Sequence, residues 1–159
     1  MATRRSILIV DDDPGLVRTT SLILEHEGYS VTTASNGPEA IALTRETAFD
    51  LTLLDIKMPE IDGVETLREL KRLRPTATVV MMTAYTVEQR ISEALREGAH
   101  AILRKPLAIE PLLGLIEQTL AGRGDMLVLL VDDDDGMRTT LYEILAHRGD
   151  VVGTAACGE

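Results

Sequence analysis

The residues with the clearest chemical potential are two runs of aspartate, each of which directly follows a short apolar stretch. Asp11-Asp12-Asp13 comes after Ile7 to Val10, and Asp132 to Asp135 comes after Met126 to Val131. Charged runs on a solvated protein face seldom begin directly at the end of a buried strand. Both runs are therefore candidates for sites in which several carboxylates act together.

Three further polar residues follow later apolar stretches of the chain: Asp55, Thr83 and Lys105. Carboxylates that are brought together repel one another unless a cation neutralises them, and a hard divalent cation such as Mg²⁺ is the simplest neutraliser. With Asp11 to Asp13, this set supplies a nucleophilic carboxylate, a metal site, a lysine and a hydroxyl donor. These are the groups that phosphoryl transfer requires.

The elements that must position these residues follow from the hydrophobic pattern, which predicts five repeats of one strand and one helix. The predicted strands are 7–10, 30–34, 50–54, 78–82 and 101–103, and the predicted helices are 14–27, a helix opening at Asn36, 64–73, 86–97 and 109–121. This alternation predicts a doubly wound α/β domain with a parallel five-stranded sheet and helices on both faces. Ligands of such sheets bind at the carboxyl ends of the strands, so we expect the polar residues to meet at one edge.

Composition excludes several classes of protein. The 159 residues are 45% hydrophobic, but no apolar run exceeds six residues, so we expect no membrane span. The start of the chain lacks a signal-peptide core, which makes the cytoplasm the expected location. A single cysteine, Cys157, and three histidines are too few for a disulfide or a structural zinc site.

Charge and aromatic content bear on partners. The formal net charge is −10, with 26 acidic residues against 16 basic ones, and aromatic residues make up 3% of the chain. Nucleic-acid binders usually carry a basic surface and stacking aromatic side chains. We therefore expect no direct contact with DNA or RNA, and no helix-turn-helix is recognisable.

At this point the chain resembles the receiver domain of two-component response regulators, CheY-like proteins, over residues 6–121. The resemblance is carried by five anchors in the right order and spacing: Val10-Asp11-Asp12, Leu54-Asp55-Ile56-Lys57-Met58-Pro59, Asp62-Gly63, Met82-Thr83-Ala84 and Lys105-Pro106. It implies a flavodoxin-like fold and a phosphorylation-controlled switch in signal transduction. It also implies that the protein is not an enzyme, apart from its own phosphorylation and dephosphorylation.

The resemblance assigns roles around the phosphoryl group. Asp55 would be the phosphoacceptor, taking its phosphoryl group from a sensor histidine kinase, a phosphotransfer protein or a small acyl phosphate. Asp12 would bind Mg²⁺ directly and Asp11 largely through water. Asp55 and the backbone carbonyl of Lys57 would complete the protein ligands. Asp13 is left open between a metal role and a solvated third acid.

Other positions would modulate the switch. Lys105 would pair with the phosphoryl oxygens, aimed by a cis peptide before Pro106, and Thr83 would hydrogen-bond to them. Tyr85 and Lys57 occupy positions that flank the phosphoryl group in the family, and we expect Tyr85 to shield it from water. Ile102 departs from the family, which usually has Tyr or Phe there, so coupling through that residue is in doubt. Output would pass through the face made by the fourth and fifth helices.

The end of the chain resembles its beginning. With a constant offset of 121, residues 8–13 match residues 129–134, and the match continues as far as Val31 with Val152. We therefore divide the chain into a receiver domain at 1–121, a linker at 122–125, and the strand-helix-strand start of a second receiver at 126–159. The second unit ends before any counterpart of the phosphoacceptor.

Three arrangements are open for residues 126–159, because about 34 residues bury too little apolar surface to fold alone. They could dock on the first domain, pair with another copy in a homodimer, or belong to a longer tandem-receiver protein cut short. We favour the last.

Two alternative functions use the same residues. A Mg²⁺-dependent phosphohydrolase of the haloacid-dehalogenase type also begins at aspartates after a first strand, but Gly15 breaks the motif of that family. A scaffold that needs no phosphorylation would require a vestigial acidic site, which the five anchors argue against.

Overall fold

The computed structural model describes residues 4–84, 88–105, 107 and 109–120, together with the strands at 127–131 and 151–155. The elements are β1 (Ser6–Val10), α1 (Pro14–His26), β2 (Ser30–Ala34), α2 (Gly37–Glu46), β3 (Leu51–Asp55), α3 (Gly63–Leu73), β4 (Val79–Thr83), α4 (Glu88–Arg96), β5 (Ala101–Arg104), α5 (Ile109–Leu120), β6 (Leu127–Val131) and β7 (Val151–Ala155). The predicted alternation of five strands and five helices is confirmed.

All of the strand pairs are parallel, and the strand order is β2-β1-β3-β4-β5-β6-β7. The first five strands form the predicted doubly wound sheet. From β1 the chain moves outward to β2 and then back across to β3, so the connections change direction between β1 and β3. The carboxyl ends of these two strands therefore border the crevice where ligands of such folds bind.

Two apolar clusters cover the opposite faces of this sheet. Side chains alternate along β1, so that Leu8 and Val10 belong to one cluster and Ile7 and Ile9 to the other. Helices α2, α3 and α4 contribute to the first cluster, whereas α1 and α5 contribute to the second. Burial on both faces explains why the strands of this sheet are nearly continuous apolar runs in the sequence.

The helix ends follow local signals in the sequence. Asn36 was the expected cap of α2, and its side chain accepts a hydrogen bond from the N–H of Glu39 at 2.8 Å. Gly28 and Gly98 follow α1 and α4 and have φ angles of +96° and +100°, a conformation that favours glycine. Both glycines thus end helices where the sequence predicted.

Beyond α5, two strands extend the sheet. β6 pairs with β5, and β7 pairs with the other edge of β6. The helix expected between them falls in residues outside the described part of the chain, so the assignment of 126–159 to a second receiver stays a prediction. No helix in the described ranges is both long enough and apolar enough to cross a bilayer.

Candidate functional site

Three carboxylates meet at the crevice between β1 and β3. Asp11 and Asp12 follow β1 directly, and Asp55 is the last residue of β3. One carboxylate oxygen from each of the three lies within 4.8 Å of the others. Asp11 and Asp55 are buried, with 1% and 5% of their surface exposed, whereas Asp12 is exposed. The structure thus brings these three carboxylates together, and their roles as phosphoacceptor and metal ligands stay predictions.

Lys105 brings a positive charge to the same cluster. It follows β5, and its backbone N–H donates a hydrogen bond to the carbonyl of Thr83 at 2.7 Å. Its Nζ atom lies 2.6 Å from Oδ2 of Asp11 and 3.3 Å from Oδ2 of Asp55. One lysine thus contacts both buried carboxylates.

The electrostatics of the site are unbalanced without a metal. Burial and the neighbouring Asp11 raise the pKa of Asp55 to about 6, although the Lys105 ammonium opposes that rise. Burial alone would lower the pKa of Lys105, but Asp11 and Asp55 outweigh that effect and raise it. One ammonium does not fully compensate three adjacent acids, so the cluster still favours added positive charge.

The donor set fits Mg²⁺. This cation takes oxygen ligands and keeps several of its waters, so a site with two buried carboxylates and one exposed carboxylate at its mouth suits it. Within the described residues, the buried Oδ2 atom of Asp11 faces the Lys105 ammonium and has no hydrogen-bond donor beyond it. That oxygen has capacity for a cation.

The loop after β3 is held against the end of that strand by Gly63. The N–H of Gly63 donates a hydrogen bond to the carbonyl of Ile56 at 2.6 Å. A Cβ atom at position 63 would lie only 2.1 Å from the backbone oxygen of Asp55. The side chain of Asp62 caps α3 by accepting from the N–H of Glu65 at 3.0 Å. The Asp62-Gly63 motif therefore fixes the loop beside the predicted phosphoacceptor, and Lys57 lies exposed within that loop.

The other predicted positions fall as follows. Thr83 ends β4 and is buried, one residue beyond Met82, which is the register partner of Asp55. Ile102 is buried in the same apolar cluster as residues of α4. This position therefore holds a buried aliphatic side chain where the family usually has Tyr or Phe. Tyr85 and Pro106, including its predicted cis peptide, lie outside the described residues.

Two features of the site were missed by sequence reasoning. Asp13, whose role was open, caps α1 by accepting from the N–H groups of Gly15 and Leu16 at 3.0 and 3.2 Å. An aspartate directly before a proline at a helix start is the signal that could have revealed this. The second feature is a contact of 2.5 Å between Nη2 of Arg90 in α4 and Oδ2 of Asp62, for which no local sequence signal exists.

Comparisons with known sequences agree with this geometry. The family model described as response regulator receiver domain matches residues 7–117. A response regulator receiver protein of Anaeromyxobacter sp. (strain Fw109-5) is 41% identical over 152 residues, which cover 96% of this chain and 63% of that protein. The transcriptional regulatory protein ZraR of Escherichia coli (strain K12) is 42% identical over 115 residues, covering 72% of this chain and 26% of ZraR. The chain therefore spans less than two thirds of the length of either relative.

Solved structures give the same result. A CheY-like receiver domain protein from Methanospirillum hungatei JF-1 has 37% identity and a TM-score of 0.73, covering 75% of this chain and 95% of that one. The response regulator TrrA from Thermotoga maritima, solved in complex with Mg²⁺ and BeF, has 30% identity and a TM-score of 0.66, covering 72% and 98%. The fold, the acidic crevice and these matches together show that the chain belongs to the response regulator receiver domain family of two-component systems, whose members act as signalling switches.

Proposed function

We propose that Asp55 accepts a phosphoryl group from a sensor histidine kinase or a phosphotransfer protein in a Mg²⁺-dependent reaction. One observation carries this proposal. Asp55 lies at the end of β3 with Asp11 and Asp12 within 4.8 Å and Lys105 Nζ at 3.3 Å. A nucleophilic carboxylate, two further metal ligands and a cation for the phosphoryl oxygens are thus within reach of one point.

The covalent step is a transfer between two activated phosphates. A carboxylate oxygen of Asp55 attacks the phosphorus of the phosphohistidine, the P–N bond breaks, and its electron pair goes to the imidazole nitrogen. The product is an acyl phosphate on Asp55. When it is bound by Asp11, Asp12, Asp55 and the backbone carbonyl of Lys57, Mg²⁺ supplies charge neutralisation between the incoming phosphoryl oxygens and the carboxylates.

Lys105 and Thr83 respond to the new charge. The phosphoryl group is more anionic than the carboxylate that it replaces, so the Lys105 ammonium pairs with it and the Thr83 hydroxyl donates to it. The 2.7 Å hydrogen bond from Lys105 N to Thr83 O joins the ends of β4 and β5, which supports a concerted movement of both residues. The shift reaches the face of α4 and α5, where a downstream partner docks.

The output differs from the family in one respect. Position 102 holds a buried isoleucine instead of an aromatic residue, so the switch runs through Thr83 and the loop that follows it. The named relative ZraR is a transcriptional regulatory protein, of which this chain matches 26%. The downstream partner of the present chain is another protein or a further part of its own protein.

We also propose that residues 126–159 begin a second receiver. The offset of 121 supports this division, as does the Anaeromyxobacter relative, because 96% of this chain aligns with it.

The proposed phosphorylation is tested by incubating the full chain with Mg²⁺ and acetyl phosphate and measuring its intact mass. We expect one acid-stable, base-labile phosphoryl adduct, which Asp55→Asn abolishes. Asp13→Asn is the matched control, since asparagine preserves the cap of α1, and it should form the adduct normally. No adduct on the wild-type chain would favour the scaffold alternative, and turnover of unrelated phosphomonoesters would favour a hydrolase.

The role of Tyr85 has its own test. We propose that this side chain shields the phosphoaspartate from water, so Tyr85→Ala should speed dephosphorylation after acetyl phosphate is removed. Tyr29→Ala, which changes a tyrosine outside the site, controls for general effects on the fold. An unchanged dephosphorylation rate in Tyr85→Ala would contradict the proposal.

A further inference from the structure

Arg90 of α4 contacts the loop that follows Asp55, which we call the β3–α3 loop and which comprises residues 56–62. Its Nη2 atom lies 2.5 Å from Oδ2 of Asp62, the last residue of that loop. β3 ends at Asp55, and β4, the strand that precedes α4, ends at Thr83. The ion pair therefore connects the two chain segments that leave the candidate site from neighbouring strands.

The carboxylate of Asp62 is shared between two helices. Its Oδ1 atom accepts a hydrogen bond from the N–H of Glu65 at 3.0 Å and so caps α3, while its Oδ2 atom faces Arg90. The main-chain carbonyl of Asp62 also accepts from the hydroxyl of Thr66 at 2.9 Å. Asp62 is thus anchored to α3 by its backbone and one carboxylate oxygen, and the other oxygen holds α4.

The β3–α3 loop has a backbone conformation that needs support at both ends. Glu60 has a φ angle of 72°, in the left-handed region, which costs free energy for a residue other than glycine. At the start of the loop, the N–H of Ile56 donates a hydrogen bond to a carbonyl of β4 at 3.0 Å. At its end, the chain is held by the Asp62 cap and by Arg90. Because the loop is short, a shift of Asp62 also moves Lys57, whose carbonyl is the proposed fourth metal ligand.

Arg90 has a second carboxylate partner within its own helix. Its Nη1 atom lies 3.0 Å from Oε2 of Glu93, and the side chain of Arg90 is 46% exposed. If α4 moves away from the loop, Arg90 keeps Glu93 and water as partners, so no buried charge is left unpaired. The ion pair with Asp62 can therefore open and close at a small cost in stability.

From these contacts we propose that Arg90 is a positioning residue for the β3–α3 loop, and that its ion pair with Asp62 couples the position of α4 to the affinity of the acidic site for Mg²⁺. Such coupling is reciprocal: a partner that draws α4 away from Asp62 weakens Mg²⁺ binding, and bound Mg²⁺ holds α4 in place. This route to α4 does not pass through Ile102. The metal in this coupling rests on the proposed function, whereas the positioning of the loop stands on the contacts alone.

The structure offers a matched control for Arg90. Nη2 of Arg68 in α3 lies 3.1 Å from Oε1 of Glu97, the residue that follows α4. This second ion pair also joins α3 to α4, but neither of its residues belongs to the β3–α3 loop. Arg68→Gln therefore removes one ion pair between the same two helices and leaves the loop supported.

Mg²⁺ affinity of the full chain, measured from the rise of the melting temperature with Mg²⁺ concentration, tests the coupling. We expect Arg90→Gln to weaken Mg²⁺ binding about fivefold. Asp62→Asn, which keeps an oxygen to cap α3, should weaken it equally, and the double variant should be no weaker than either single one. Arg90→Lys, which keeps the charge, should recover part of the affinity, and Arg68→Gln should bind Mg²⁺ as the wild type does.

Hydrogen exchange on the metal-free chain, read by mass spectrometry, tests the positioning without any metal. Amides of residues 56–63 should exchange several-fold faster in Arg90→Gln and at the wild-type rate in Arg68→Gln. Unchanged exchange at 56–63 in Arg90→Gln would overturn the positioning role. Equal Mg²⁺ affinity of Arg90→Gln and wild type, or equal weakening in Arg68→Gln, would overturn the coupling.

Failure of the proposed function gives a different result. The melting temperature of the wild-type chain would then not respond to Mg²⁺, and acetyl phosphate would leave no adduct on it. That outcome refutes the coupling to Mg²⁺ together with the proposed phosphorylation. Faster exchange at 56–63 in Arg90→Gln would still support the positioning of the loop by α4.

Discussion

Lys105 is paired more closely with Asp11 than with Asp55, since its Nζ atom lies 2.6 Å from Oδ2 of Asp11 and 3.3 Å from Oδ2 of Asp55. In this state the lysine serves as the counter-ion that Mg²⁺ would otherwise provide for Asp11. A cation held by Asp11, Asp12 and Asp55 would neutralise Asp11 in place of Lys105 and would leave the lysine available for a group on Asp55. The predictions below separate the contributions of the metal site and of the lysine.

Replacing Asp55 by Asn should stabilise the metal-free fold at neutral pH. The pKa of Asp55 is about 6 in the folded state, against an ordinary value of 3.8 for an aspartate. The folded state therefore binds more protons than the unfolded state between these values, and stability falls as pH rises from about 4 to about 6. At pH 7 Asp55→Asn should raise the free energy of unfolding by about 1–3 kcal/mol. Urea denaturation in the presence of a chelator should show that Asp55→Asn raises the free energy of unfolding less at pH 5 than at pH 7. An equal rise at both pH values would contradict the raised pKa of Asp55.

Removing the charge of Lys105 should destabilise the metal-free fold. Lys105→Met keeps most of the side-chain volume but leaves the buried Asp11 and Asp55 carboxylates without their cation. We expect a loss of about 2–4 kcal/mol at pH 7, because breaking a buried ion pair leaves uncompensated charge. The loss should shrink at pH 5, where Asp55 takes up a proton. Urea denaturation of Lys105→Met beside the Lys105→Met/Asp55→Asn double variant measures this, and a double variant no more stable than the single one would argue against the charge explanation.

The exposed Asp12 should matter for the metal and little for the fold. Asp12→Asn should weaken Mg²⁺ binding on the order of tenfold, while the stability of the metal-free protein changes by less than about 0.5 kcal/mol. The rise of the melting temperature with Mg²⁺ concentration reports this affinity, because a ligand that binds only the folded state stabilises it. Asp13→Asn is the control, since Asp13 caps α1. Equal weakening in both variants would assign Asp13 to the metal site.

Gly63 should tolerate no side chain. A Cβ atom there would lie 2.1 Å from Asp55 O and 2.6 Å from Ile56 Cα, so Gly63→Ala must push the loop away from β3. We expect a loss of about 2 kcal/mol or more, together with slower phosphorylation at Asp55. Gly114→Ala in α5 is the matched change, because nothing lies within 4 Å of its added Cβ. That variant should be neutral or gain up to about 1 kcal/mol from helix propensity. Urea denaturation of the two side by side tests the contrast.

Much of the fold and of the site could be predicted from the sequence for one physical reason. Strands buried on both faces are nearly continuous apolar runs, and their carboxyl ends meet at one edge of a parallel sheet. Such runs precede Asp11, Asp55, Thr83 and Lys105, so the order of strands along the chain was enough to predict that these residues meet at one edge. The helix ends at Asn36, Gly28 and Gly98 could also be predicted, because their signals lie in the local sequence.

What the sequence could not provide depends on contacts between distant residues. The preference of Lys105 for Asp11 is a matter of less than an ångström between two carboxylates. The ion pair of Arg90 with Asp62 joins two helices whose charges have many other possible partners in an acidic chain. The place of β6 was open among three arrangements, because the repeat describes how β6 meets β7 and says nothing of the strand on its other edge.

The equal registers of β1–β2 and β6–β7 also bear on how the sheet forms. Paired positions lie 24 residues apart in both ladders, as in Ser6 with Ser30 and Leu127 with Val151. Closing either pair therefore costs about the same loop entropy. β6 then meets β5 across 28 residues, as in Ile102 with Leu130, whereas β1 meets β3 across 44, as in Ile7 with Leu51. The sheet thus gains its last two strands through contacts that are more local than the contact between β1 and β3, so the extension should leave the folding rate limited by the joining of β1 to β3.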